Sequence, residues 1–190
     1  MPSNAYRFLT HWQVESTLEE ITVILSDAAD LPRWWPAVYL DVQELEPGDA
    51  HGLGKVVSLY TKGWLPYTLR WQFRVTKNSS PYGFELAAFG DLTGRGAWTF
   101  RQAGRLVEID YLWEVTADKP LLRRLSWLFK PIFAANHRWA MQKGHESLLL
   151  ELARRRATTA QARAAVPLPP QPTFSRLNFG AQQTAHRNAE

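Results

Sequence analysis

Residues 106–125 read LVEIDYLWEVTADKPLLRRL, and the hydrophobic period changes inside that stretch. Up to Val115 it is two. Val107, Ile109, Tyr111, Trp113 and Val115 share one face, while Glu108, Asp110 and Glu114 share the other. Strict alternation describes a strand with one wet face, which favours an antiparallel sheet. Beyond Asp118 the pattern turns helical. Asp118 followed by Pro120 is a good helix start, and LLRRLSWLF (121–129) continues it. Pro131 is expected to kink or restart that helix. From Ile132 no breaker appears before Arg154, Arg155 and Arg156, three cations suited to the negative end of the helix dipole.

Working back from this junction, the chain offers more strands. YTLRWQFRVT (67–76) alternates Leu69, Trp71, Phe73 and Val75 against Arg70, Gln72 and Arg74. VYLDVQELE (38–46), GKVVSLYTKG (54–63), FELAAFG (84–90) and AWTFRQ (97–102) are further strands, and DLTGRG (91–96) reads as a polar loop holding an Asp91–Arg95 pair. YRFLTHWQV (6–14) is the first strand. Two helices follow it: one capped by Ser16 or Thr17 with Ile21, Ile24 and Leu25 as its stripe, then LPRWW, stopped by Pro36. The order is strand, two short helices, six strands, long helix. The economical packing is α+β: a curved antiparallel sheet of about seven strands wrapped around a long C-terminal helix.

Composition bounds the function classes. Nine tryptophans in 190 residues suit a core or cavity walled by rings. The absence of cysteine excludes disulfides and thiolate metal sites and fits a reducing, cytoplasmic setting. No run approaches the 18 apolar residues of a membrane span, and the N-terminus lacks a signal pattern. The net charge of +4 is unevenly spread: residues 1–117 hold 10 Lys/Arg and 14 Asp/Glu, residues 118–156 hold 9 and 3. No nucleic-acid motif accompanies the basic helix, so no nucleic-acid partner is expected. Arg123, Arg124, Lys130, Arg138 and Trp127 motivate at most a weak peripheral membrane contact. After Ala157 the chain becomes rich in Ala, Gln, Pro and Thr, and residues 158–190 are expected to be a disordered tail. The domain division is therefore 1–157 and 158–190.

This element order, with W-W-P closing the second short helix, resembles the helix-grip (START-like, SRPBCC) superfamily over about residues 5–155. The segments DLPRWWPAVYL, TKGWLPYTLRW, GRGAWTF and ADKPLL…FKPIFAANHRWAM are similar to a bacterial, polyketide cyclase/dehydrase-like branch. The resemblance implies a deep apolar cavity between sheet and long helix, entered near the short helices and hairpin tips.

The candidate lining follows from the inner faces. Trp71, Phe73, Phe84, Trp98, Tyr111 and Trp113 point from the sheet. Phe133, Asn136, Ala140 and Gly144 face them from the helix. Of the adjacent Trp34 and Trp35, one is expected to cap the core and Trp35 to line the cavity mouth, since neighbouring residues diverge by about 100° on a helix. A second core ring is the alternative. Trp64 and Tyr67 in GWLPY (63–67) form either a ligand gate, a membrane contact, or a pad on the LPRWW helix. Asn136 bonds either backbone or ligand. His137, Met141 and His145 form one stripe, but the two histidines stand roughly 12 Å apart along the helix, too far for one metal. No metal or cofactor is expected, and a helix-flank position is the default for His137. Three functions remain in view. The first is binding a hydrophobic or aromatic small molecule, the second polyketide cyclase/dehydrase-like catalysis, the third lipid carriage. Convergence of two among Asp91, Arg95, Tyr111, Asn136 and His137 in one pocket would favour catalysis.

Overall fold

In the computed structural model, residues 5–117 and 120–173 are described, and the side chains of Ala117 and of residues 120–129 lie outside that description. β1 (Ala5–Glu15) leads into α1 (Leu18–Ser26), a single 3-10 turn (Ala28–Asp30) and the one-turn α2 (Leu31–Trp34). Six strands follow: β2 (Tyr39–Glu46), β3 (Val56–Lys62), β4 (Thr68–Asn78), β5 (Gly83–Gly90), β6 (Leu92–Ala103) and β7 (Leu106–Ala117). Then come α3 (Pro120–Arg156) and a short α4 (Ala160–Ala165). The strands form one antiparallel sheet in the order β1-β7-β6-β5-β4-β3-β2. Among the described residues, the return of β1 beside the last strand is the sheet's one non-sequential pairing.

Register places the rings. Phe84 pairs with Trp98, Trp98 with Tyr111, and Phe8 with Trp113. Each pair shares the inner face because side chains alternate. Trp98 and Tyr111 stack with centroids 4.1 Å apart and planes at 16°. The helices are tied down by charge as well as packing. Thr17 caps α1 through a capping box with Glu20. Arg156 at the far end of α3 donates to both Glu20 carboxylate oxygens, and this pairing with Arg156 holds the Glu20 carboxyl down at about 2. Glu151 is 1% exposed and receives a fork from Arg33 of α2 at 2.5 and 2.9 Å, plus Arg155 at 2.6 Å. Burial alone would raise its carboxyl. The guanidiniums of Arg33 and Arg155 outweigh that and lower it.

Three expectations are corrected. DLTGRG is no loop: Leu92 begins β6, so Arg95 lies on the outer face, bonded to Glu114, while Asp91 accepts from the Arg70 amide. Gly94, at φ 154°, brings the strands so close that a Cβ would strike the β7 backbone, which makes the polar GRG run a strand. Pro131 does not interrupt the helix, and α3 passes through it. Within the expected tail, the described residues include one short helix. Thr159 caps α4, Arg154 donates to the Pro167 carbonyl, and Pro169 is buried. Residues 174–190 lie outside the described residues, as does Asp118. Finally, Trp34 and Trp35 are both deep in the core, at 0% and 2% exposure. One α-helical turn after a 3-10 turn lets Trp35 leave the helix (φ −126°, ψ 52°) and aim inward beside its neighbour.

Candidate functional site

Trp35 decides the shape of the interior. Its indole lies against Gly144 of α3. A Cβ there would sit 2.5 Å from Cε2 and Cη2 of Trp35, and closer still to Cζ2. The helix glycine thus serves close approach of a ring, at about 1 kcal/mol of lost helix propensity. Trp12, Trp34 and Tyr39 hold the indole at centroid distances of 6.0, 5.6 and 5.1 Å. Trp35 does not stand at a mouth. With Tyr39, Trp71 and Tyr111 it forms a shared partition that lines both of two chambers.

The first chamber, about 150 Å³, lies between α3, β1, β7 and the β3–β4 turn. Tyr67, Trp113, Phe133, Asn136 and Ala140 line it, together with Trp35, Trp71 and Tyr111. The second, about 290 Å³, lies beneath α1 and the 3-10 turn, and Phe73, Phe84 and Trp98 line it alongside Trp35, Trp71 and Tyr111. Of the expected lining residues Trp64 and Gly144 border neither chamber. Trp64 is 37% exposed on the β3–β4 turn. That turn docks on α3, because Asn136 Oδ1 accepts the Leu65 amide at 3.2 Å and Tyr67 meets the Phe133 ring edge-on at 6.4 Å. Asn136 fits there because Gly63 leaves the space: a Cβ on Gly63 would lie 2.5 Å from Asn136 Cγ.

His137 is also placed differently from the expectation. It is no flank residue: it borders the first chamber, as does Met141. Its ring stacks on Phe8 at 4.2 Å and 14°. Counting four from Phe133 reaches His137, so the signal was available in the helical period. Burial, with a smaller contribution from the Arg138 charge, lowers its pKa to about 4, and the imidazole is neutral at pH 7. Its Nε2 is buried with no hydrogen-bond partner, and so is Tyr6 Oη on another lining residue. Both are costly unless something satisfies them. Burial also raises the phenols: Tyr67 to about 12, Tyr6, Tyr39 and Tyr111 in the same direction. Thr61 and Lys62 of β3, also missed, are buried at this wall. Thr61 accepts from Trp71 Nε1 at 3.0 Å, and desolvation lowers the Lys62 ammonium.

The structure therefore brings Tyr111, Asn136 and His137 to one chamber and leaves Asp91 and Arg95 outside it. Among the described residues no three His, Asp or Glu side chains gather as a metal site would require, and no helix is long and apolar enough to cross a membrane. The side chains of Arg123, Arg124 and Trp127, the core of the membrane-contact reading, lie outside the described residues.

No protein-family model matches the sequence, and neither does any curated protein. Solved structures do match. The ZhuI aromatase/cyclase from Streptomyces sp. R1128 superposes with a TM-score of 0.65 at 13% identity, over 82% of this chain and 98% of that one. The di-domain ARO/CYC StfQ from the steffimycin biosynthetic pathway gives 0.57 at 16%, over 83% of this chain and 53% of that one. A START superfamily protein from Mycobacterium smegmatis gives 0.55 at 16%, over 75% and 98%. This likeness, with the seven-stranded antiparallel sheet and the long α3 described above, shows the fold: the chain has the helix-grip fold.

Proposed function

We propose that the chain binds an apolar, aromatic small molecule in the first chamber, one ring deep, with a hydroxyl or carbonyl turned to Tyr6 and His137. The observation that carries this reading is the pairing of a ring-walled void of about 150 Å³ with partnerless polar atoms on three of its lining residues, Tyr6 Oη, His137 Nε2 and Trp35 Nε1, of which the first two face a ligand in this proposal. A void of that size holds a benzene-sized ligand. Burying roughly 150 Å² of aromatic surface at about 25 cal/mol per Å² supplies about 4 kcal/mol, a Kd near 1 mM for a lone ring. Larger ligands gain by extending beyond it. The superposition on proteins named aromatase/cyclase and START supports a small-molecule site on this scaffold.

Catalysis of the cyclase or dehydratase kind is the second reading, favoured by the convergence of Tyr111, Asn136 and His137. Their proton affinities argue against it. General acid–base work is most effective near the operating pH, whereas His137 titrates at about 4 and Tyr111 well above the usual phenol range. Asn136 already accepts a backbone amide. Such groups orient a ligand better than they exchange protons with it.

Tryptophan fluorescence titrated with 4-ethylphenol and with ethylbenzene tests the binding reading. The phenol is expected to bind more tightly, and Tyr6→Phe with His137→Phe is expected to remove the difference. Equal binding of the two in the unaltered protein would overturn the assignment of the polar atoms, and no binding of either would overturn the site. An enzyme would instead show turnover of an aromatic-ring precursor that His137→Phe abolishes.

A further inference from the structure

The second chamber has a polarity the first lacks. Its depth is apolar: Leu25, Leu31, Leu59, Phe73, Leu86 and Phe100 are buried. Its rim is polar and exposed, built from Ser26 of α1, His51 of the β2–β3 turn, and Asn78 and Ser80 of the β4–β5 turn. These three segments converge from different parts of the chain. Asn78 donates to the His51 carbonyl and accepts the Ser80 amide, and Thr22 Oγ1 donates to the Pro81 carbonyl, so the two turns and α1 are fastened together around the opening. Among the described lining residues the ionisable groups other than buried tyrosines are Lys55 and His51, and none is a carboxylate. Lys55 is half-buried and reaches Glu44 Oε2 at 3.2 Å, outside the lining.

We propose that this chamber is a separate binding site with its own mouth, for an amphipathic carboxylic acid whose ring or chain of about two rings' size fills the apolar depth and whose carboxylate meets Lys55 at the rim. The proposal stands apart from the one for the first chamber, because the two share only Trp35, Tyr39, Trp71 and Tyr111, and the rim here is built from α1 and two turns that do not line the first. An apolar molecule of this kind buries its body and keeps its charge at the half-wet edge, where a charge-assisted hydrogen bond replaces water. Glu44 competes with the ligand for the ammonium, so the native affinity for acids is restrained by this chain's own carboxylate.

The test is calorimetric titration of the full chain with 2-naphthoic acid and with its neutral analogue 2-naphthalenemethanol. The acid is expected to bind about 3–10-fold tighter. Lys55→Gln is expected to erase the preference. Glu44→Gln is expected to strengthen acid binding several-fold and leave the alcohol unchanged, a gain that general damage to the fold does not produce. Ser26→Trp, at the exposed rim, is expected to weaken both naphthyl ligands while 4-ethylphenol binding in the first chamber is retained. Equal binding of acid and alcohol, a preference that survives Lys55→Gln, or loss of 4-ethylphenol together with the naphthyl ligands in Ser26→Trp would each overturn the proposal. If 4-ethylphenol binds and neither naphthyl ligand does, the second site falls and the first stands; the reverse pattern sinks the first alone.

Discussion

Replacing Gly144 with alanine is the sharpest perturbation of this interior. In an ordinary helix the change stabilises by about 1 kcal/mol, since alanine loses less backbone entropy. Here the new methyl would meet three atoms of the Trp35 indole, two of them at 2.5 Å, where contact requires about 3.5 Å. The indole must retreat by about 1 Å. It has nowhere easy to go, because Trp12, Trp34 and Tyr39 surround it and it is 2% exposed. Overpacking of this kind costs about 1–3 kcal/mol, and occasionally more. The steric term is therefore expected to exceed the propensity gain, leaving Gly144→Ala about 1–2 kcal/mol less stable, a Tm lower by roughly 3–6 °C for a chain of this length. The double variant with Trp35→Phe isolates the cause. A smaller ring relieves the clash, so the two changes together are expected to cost less than their sum by at least about 1 kcal/mol. Urea unfolding followed by far-ultraviolet circular dichroism reads all four proteins. A stabilised Gly144→Ala, or additive effects in the double variant, would refute the placement of Trp35 against α3 and with it the partition between the chambers.

Three further outcomes are expected. His137 has a folded pKa of about 4 against 6.5 unfolded, so on acidification the unfolded chain takes up the proton first. Stability should fall between pH 6.5 and 4 by at most about 1.4 kcal/mol per unit, and His137→Gln should flatten that slope in denaturation curves from pH 6.5 to 5. Arg33→Met removes a fork to buried Glu151 but leaves Arg155 and Arg154 beside it, and should cost about 2 kcal/mol by chemical denaturation. Asn136→Leu leaves the Leu65 amide without its acceptor; a loss of about 1–2 kcal/mol is expected, with faster hydrogen exchange at Leu65 than at any residue in β7.

Much of the fold was legible because two periods dominate the chain. The alternation in Leu69–Val75 and Val107–Val115 places the inner face of the sheet, and Trp71, Phe73, Tyr111 and Trp113 from it border the chambers while Trp64 and Gly144 do not. What escaped depended on distance between segments remote in sequence. That Gly144 admits Trp35, and so divides one expected cavity into two, follows from how α2 and α3 approach each other. Composition says nothing of that. DLTGRG looked like a loop because glycine and charge usually mark one, yet Gly94 is there for close strand approach. Trp64 failed as a lining residue because Asn136 turns the GWLPY backbone onto α3, and adjacent residues on a turn need not share a side. His137 shares a stripe with Met141 and His145, but its four-residue spacing from Phe133 is what carries it to the chamber.

Intermolecular nuclear Overhauser effects between bound 4-ethylphenol and the protein's methyl groups test the central claim most directly. The account predicts contacts from the ligand ring to the Met141 and Ala140 methyls, which border the first chamber from α3. Contacts confined to exposed groups such as Leu9 or Val23, or none at saturating ligand, would contradict it.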